Sequence, residues 1–231
     1  MQKNTLFLTT LLVANSAVAA DLEIKITNLT HGLHYTPILV AAHSAEHRLF
    51  QSGTAATLAL QKMAEGGDID ELVGIVASIG GNSLVNPAKG LLAPGAEASG
   101  MLVTTGNNRF LSVTAMLLPT NDGFVGLNSW AIPTEKGTYT VMLNAYDAGT
   151  EANDELVKEG SGATNVRGIP AAPGGKAGTG GTGVTLEEFN KTVHIHRGSL
   201  GDDNLTGGKS DLDNRVHRWL NPVARMTVTV K

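Results

Sequence analysis

The stretch from Met116 to Asp154 constrains this chain more than any other. Two apolar, strand-like runs each end in an acidic, glycine-containing turn. The first turn is Thr120-Asn121-Asp122-Gly123. The second is Asp147-Ala148-Gly149-Thr150-Glu151, followed by Asn153, Asp154 and Glu155. Phe110 to Leu118 alternates, with Leu111, Val113, Ala115 and Leu117 on one side, and Gly137 to Ala145 is the next strand. Strands laid side by side bring their acidic turns to one end of a sheet. Carboxylates gathered there repel one another unless a cation lies between them. The oxygen-only donor set points to calcium, with Asp122, Asp147 and Glu151 as ligands. Glu151 lies beyond Gly149, which lets the chain curl back toward Asp147.

The remaining pattern extends the sheet. Leu22, Ile24 and Ile26 alternate with Glu23, Lys25 and Thr27, which predicts a half-buried strand over 22–29. Tyr35 to Ala42 and Met101 to Thr104 read as further strands. Phe124 to Trp130 reads as chain turning away from the sheet. Met226, Val228 and Val230 mark a last strand over 224–230. Helix formers fill Thr54 to Ala64, with Thr54 placed to cap and Gly66-Gly67 to stop. Asp68 then opens a second helix through Asp70, Glu71 and Val76, where first-turn acids suit the helix dipole. Residues 80–100 read as loop. Residues 160–183 read as a long, mobile, glycine-rich loop without apolar anchors, open to cleavage at Arg167 or Lys176. Its Gly178-Thr179-Gly180-Gly181-Thr182-Gly183 run lacks the Lys-Ser/Thr ending of a phosphate-binding loop. Many strands, few helices and frequent turns predict a mainly β chain. The expected form is an antiparallel β-sandwich with two short helices over about residues 54–78, covering one end or edge.

Lys3, the apolar run Leu6–Val13 and Ala17-Val18-Ala19 predict a signal peptide over residues 1–20 and one domain over 21–231. The expected location is therefore exported, periplasmic or extracellular. No later stretch is long and apolar enough to span a membrane as a helix. A net charge of −4, with no basic stripe, argues against a nucleic-acid partner. The chain has no cysteine, so packing or bound ions must do what disulfides do in many exported domains. Asn28-Leu29-Thr30 matches a glycosylation acceptor, but reads as a strand end and turn.

Histidines give a second chemistry. His194 and His196 stand two apart on a predicted strand, Lys191 to Arg197, and so share a face. Opposite Val193 and Ile195 they read as a solvent-facing pair. The alternative is a transition-metal site, completed by His217 or by an acid from Asp202-Asp203. His31, His34, His43 and His47 fit no metal-ligand spacing. No nucleophile or metalloprotease signature occurs, so the chain reads as a non-enzyme.

Asn121-Asp122-Gly123-Phe124-Val125-Gly126 resembles the Pro-Asp-Trp-Phe-Val-Gly segment of spondin N-terminal domains, found in F-spondin and mindin. Tyr146-Asp147-Ala148-Gly149-Thr150-Glu151 resembles their (Trp/Tyr)-Asp-Ala-Gly-Thr-Asp segment, in the same order. Ile26-Thr27-Asn28-Leu29-Thr30 through Gly53 resembles bacterial spondin-domain proteins. Gly123 replaces the family's aromatic, Glu151 replaces its second Asp, and the cysteines of animal members are missing. The resemblance implies a β-sandwich and a calcium site that includes Asp147 and Glu151. It also implies a secreted adhesion module that recognises a cell-surface or matrix protein or glycan. The competing reading is a periplasmic transition-metal protein or metallohydrolase built on His194 and His196.

Overall fold

A computed structural model describes residues 19–163, 166–170 and 178–231. Most of the predicted leader, and Lys176, lie outside these residues. The described chain is mainly β, with 34% strand and 9% helix.

Ten strands form one antiparallel sheet that curls until it nearly closes. In chain order they are β1 (Asp21–Asn28), β2 (His34–Tyr35), β3 (Leu39–His43), β4 (Asn82–Val85), β5 (Glu97–Val103), β6 (Phe110–Leu118), β7 (Gly123–Ala131), β8 (Gly137–Asp147), β9 (His194–Ile195) and β10 (Ala224–Val230). The path is β4-β3-β6-β7-β8-β10-β1-β5, with β2 on β6 and β9 on β8. Strand β8 serves both halves. Its first part, Gly137 to Leu143, pairs with β10, and its last part, Asn144 to Asp147, pairs with β7. A strand that passes from one layer to the other is how a sandwich turns its corner.

Alternation decides what lies between the layers. Leu22, Ile24 and Ile26 of β1 and Met226 and Val228 of β10 face Leu111, Val113, Ala115 and Leu117 of β6. Each such side chain contributes roughly 1.5–3 kcal/mol on burial. Strand β3 is buried on both faces: Val40 and Ala42 enter this core, while Leu39 and Ala41 face outward. Outside them lie the helices α1 (Leu58–Gly66) and α2 (Asp70–Ser78). Leu60, Met63, Leu72 and Val76 pack there with Phe50, Met116 and Phe124 into a second core. The helices therefore cover a face of the sheet, not the end or edge expected from sequence, because β3 and β6 carry apolar residues on both sides.

Several local expectations need correction. The run Tyr35–Ala42 is two strands, β2 and β3, interrupted at Thr36-Pro37-Ile38, since proline supplies no N–H to a ladder. Helix α1 starts later than predicted. Thr57 is its cap, accepting from Leu60 N at 3.2 Å, whereas the Thr54 hydroxyl donates to Gln51 O. Thr57→Ala should therefore cost about 1 kcal/mol, and Thr54→Ala under about 0.5 kcal/mol; urea melts of the two variants check this. Asp68 lies one residue outside the α2 cap, yet its Oδ1 accepts from Asp70 N at 2.9 Å. The stretch 80–100 contains β4 and the start of β5, and the predicted turn after Asp122 is the strand β7. Of Lys191–Arg197, only His194–Ile195 pairs as a strand.

The described residues of the 160–183 stretch are better fastened than its composition implies. Ile169 is fully buried and forms a parallel bridge with Val157. Thr179 N and Gly181 N both donate to Asp211 Oδ1. Buried Ile169, the distant carboxylates of Asp211 and Glu151, and backbone bonds from Thr182 and Gly183 do the anchoring, which no local hydrophobic period reveals. Asn28 is likewise buried, with its amide fully engaged, so it is no glycosylation acceptor in the folded chain.

Candidate cation site at the acidic end

The Thr120–Gly123 turn is closed by one side chain. Thr120 Oγ1 donates to Leu117 O and accepts from Gly123 N. This sets Asp122 at the start of β7. Across the sheet, Gly123 stands opposite Asp147, and Asp147 stands opposite His194. Directly opposed residues share a face, so Asp147 and His194 project from the same side of the sheet, with Asp122 just ahead of the glycine opposite them. Gly123 has a further reason to be glycine: a Cβ there would lie 2.8 Å from Thr120 Oγ1 and 3.1 Å from the His196 ring. Gly149 has φ +70°, and a Cβ would meet Thr192 N at 2.7 Å. Only glycine allows the second acidic turn to seat on the chain leading into β9.

Asp122 and Asp147 are 0% and 1% exposed. Asp122 Oδ2 accepts from Thr150 N, Thr150 Oγ1 and Glu151 N, but its Oδ1 is buried with no donor. Asp147 Oδ1 accepts from Gly149 N and its Oδ2 from Asn153 Nδ2. Among the described residues, neither acid has a lysine or arginine partner. Burial, and then the neighbouring Asp147 carboxylate, push Asp122 well above the usual carboxylate range. Burial raises Asp147 as well, partly offset by Asn153, Gly149 N–H and His194.

Glu151 points another way. Its Oε2 accepts from Gly168 N and Asn121 Nδ2, while Oε1 is buried without a donor. Asn121 also donates to Asp154, which pairs with Lys158 at 2.8 Å. Glu155 accepts from Leu200 N, Gly201 N and Ser210 Oγ. These acids hold Gly168 and the 198–211 loop onto the sheet end. The structure thus brings Asp122 and Asp147 together and turns the Glu151 carboxylate aside. Among the described residues, no three His, Asp or Glu side chains form a ready-made metal cluster.

Burial lifts Glu151 to about 7, above its ordinary value near 4.3. A carboxyl raised on folding contributes stability that is full below the unfolded value and is lost as pH rises through the folded one. For the chelator-treated protein, the stability difference between wild type and Glu151→Gln should therefore move against the wild type between about pH 4.3 and 7. Urea midpoints at several pH values test this.

The histidines are not the solvent-facing pair predicted. Ile195 is exposed, Val193 is buried, and His196 is buried against Trp219 at 4.9 Å between ring centroids. Both Nε2 atoms face Asp147 Oδ2, at 3.8 Å from His194 and 3.9 Å from His196. Burial, with Arg197 and His194 nearby, lowers His196 to about 3, so it stays neutral. His217 lies apart from them. Its Nδ1 accepts from Asp213 N, and its ring lines a cavity with Asp202, Asp211 and Asp213. His43 is a structural histidine, bonded to Ser44 O and Ser112 Oγ. Sequence reasoning missed the meeting of His194 with Asp147. The His-x-His spacing was its only local trace.

A family model described as Spondin_N matches residues 27–162. That span holds both acidic turns, β1 from Thr27 onward, and all strands through β8. The chain belongs to the spondin N-terminal domain family. No curated protein gives a significant match. In this spondin domain, β9, β10 and the three candidate ligand histidines lie beyond the matched residues. Among the described residues, no helix is long and apolar enough to cross a membrane.

Proposed function

We propose that this chain is an exported, non-enzymatic spondin-type recognition module whose acidic end is organised by calcium. The observation that carries the reading is the pair Asp122 and Asp147: two buried, electrostatically linked carboxylates that have, among the described residues, no lysine or arginine partner and leave one oxygen bare. Two such charges coexist at neutral pH only with a proton or a cation between them. The donors suit a hard ion, since Asp122 Oδ1 and Glu151 Oε1 are buried oxygens without hydrogen-bond donors. Glu151 N already bonds Asp122 at 3.1 Å, so the two residues adjoin, and rotation of the Glu151 side chain supplies the third ligand. Backbone carbonyls and water complete a shell of about 6–8 oxygens.

Recognition is assigned to the same end. Leu186 and Phe189 are 63% and 88% exposed on the loop whose Asn190 abuts Gly149. An ion that orders the 147–155 turn also orders this apolar surface for a cell-surface or matrix protein or glycan. Export supplies the setting: residues 1–20 read as a leader, and Asp21 already begins β1. N-terminal sequencing of exported protein should start near Ala20 or Asp21, and an intact Met1 would count against export. Calcium titration of the purified, chelator-treated chain tests the site itself; absence of saturable binding would refute it.

A further inference from the structure

We propose that the end of the sandwich opposite the acidic turns binds a small organic carboxylate. Its apolar body sits in a cavity at the mouth of the inner core, and Arg109 and Lys136 hold its charge. The cavity has a volume of about 250 Å³. It lies where β6 and β8 begin and where β7 and β10 end, whereas Asp122 follows the far end of β6 and Asp147 is the last residue of β8. This site and the calcium reading therefore stand or fall separately.

Strand register places the charge over an apolar floor. Ile132 N donates to Arg109 O at 2.8 Å, which continues the β6–β7 ladder one step past Phe110 and Ala131. Residues paired in this way share a face. Ile132 is buried in the inner core, so Arg109 stands at the rim of that core. From the other layer, Val230 and Ala20 complete the floor, and Val230 pairs with Gly137, directly after Lys136. Thr104 Oγ1 accepts from Ala20 N at 3.0 Å, which fixes that wall. The mouth of a curled sheet is a common seat for a small ligand, where apolar side chains take its body and a few polar groups orient it.

The charge at this mouth is one-sided. Arg109, Lys136 and Lys231 line the cavity, and no acidic side chain does. Lys231 is already paired with Glu23 at 2.9 Å. Among the described residues, neither Arg109 nor Lys136 forms an ion pair. Two such cations beside an apolar hollow suit an anion with an apolar body, and a guanidinium grips a carboxylate through two parallel hydrogen bonds. Size narrows the class further. An apolar cavity of roughly 150 Å³ takes a benzene ring, so one of about 250 Å³ takes a ring with a short acidic arm, or a chain of similar bulk. A bare inorganic anion would leave the floor unfilled, and a neutral hydrocarbon would leave the cations unanswered.

The test is titration of the purified chain with 3-phenylpropionate, with its neutral amide and with acetate, each followed by backbone-amide NMR. The proposal expects saturable binding of 3-phenylpropionate with a Kd of roughly 0.1–1 mM, in keeping with so small a ligand. The shifts should centre on Thr104, Ile132 and Val230. The amide and acetate should each bind at least about tenfold more weakly. Arg109→Gln should weaken 3-phenylpropionate by at least about tenfold, the worth of a hydrogen bond to a charged group. Lys136 is exposed, so Lys136→Gln should weaken it less. Lys191→Gln, an exposed control beside the acidic end, should bind as wild type does. Arg109→Gln gives up no ion pair, so it should keep the wild-type circular dichroism and calcium response. The absence of saturable binding would overturn the proposal, as would equal affinity in wild type and Arg109→Gln. Equal affinity for the amide or for acetate, or shifts confined to the acidic end, would overturn it as well. A chain that binds 3-phenylpropionate in this way but not calcium would keep this site and lose the other.

Discussion

Calcium at about 100 times its Kd should raise the melting temperature of the chelator-treated chain by about 5–10 °C, and Asp147→Asn should remove most of that rise. Saturation at that level is worth about 2.7 kcal/mol, and each kcal/mol moves a chain of this size by about 2–4 °C. The substitution keeps the shape of the side chain, and its amide oxygen still accepts from Gly149 N. What it removes is the charge beside Asp122, while Asn153 must turn its amide to meet the NH2 that replaces Oδ2. The sign should therefore invert with the ion. In chelator, Asp147→Asn should be the more stable protein, because a buried carboxylate no longer faces another. With calcium present, wild type should be the more stable. Differential scanning calorimetry in both conditions gives four melting temperatures. An equal calcium response in the two proteins would rule out Asp147 as a ligand.

Asn28→Asp should destabilise the fold by about 3–5 kcal/mol at neutral pH, as an uncompensated buried charge does. Asn28 sits at the end of β1 with no exposure. Its Nδ2 donates to Leu33 O at 2.7 Å and Leu92 O at 3.1 Å, while Oδ1 accepts from Thr30 N and Thr30 Oγ1. One amide thus joins β1, the turn after it and the loop before β5. The aspartate has almost the same volume but presents acceptors to two carbonyls that need donors. Urea denaturation should show a lower midpoint with an unchanged slope. A loss below about 1 kcal/mol would mean that the turn rebuilds around the charge.

What was legible in the sequence tracks how local each determinant is. Strands β1, β6, β8 and β10 carry clean alternation over seven or more residues and were found close to their ends. Strand β7 was not, because Gly123, Gly126 and Asn128-Ser129 read as turn chemistry. It is a strand because β6 and β8 flank it, and its register slips between Leu111 and Val113 while Ser129 takes φ 51°. Strand β4 is a short edge strand whose residues face solvent at alternate positions, too little pattern to register. At the site, Asp122 and Asp147 were predictable partners because each adjoins the end of a recognisable strand. The orientation of Glu151 was not, since Gly168 N–H and Asn121 decide it. The arrival of His194 opposite Asp147 depends on a two-residue strand, β9, that has no hydrophobic period to announce it.

Strand β10 is the last strand in the described chain, yet it lies inside the sheet, hydrogen-bonded to β1 on one side and β8 on the other. Until it docks, β1 and β8 are two open edges, and the inner core lacks Met226 and Val228. Strand β1 waits for β10, so the ladder that completes the sheet joins the first and last strands of the described chain. Such pairings form slowly, because the chain must be closed over nearly its whole length before the contact is rewarded. A chain of this kind keeps β1 and β8 open until β10 docks between them. Shortening it by that one strand would leave two adhesive edges in place of a finished sheet.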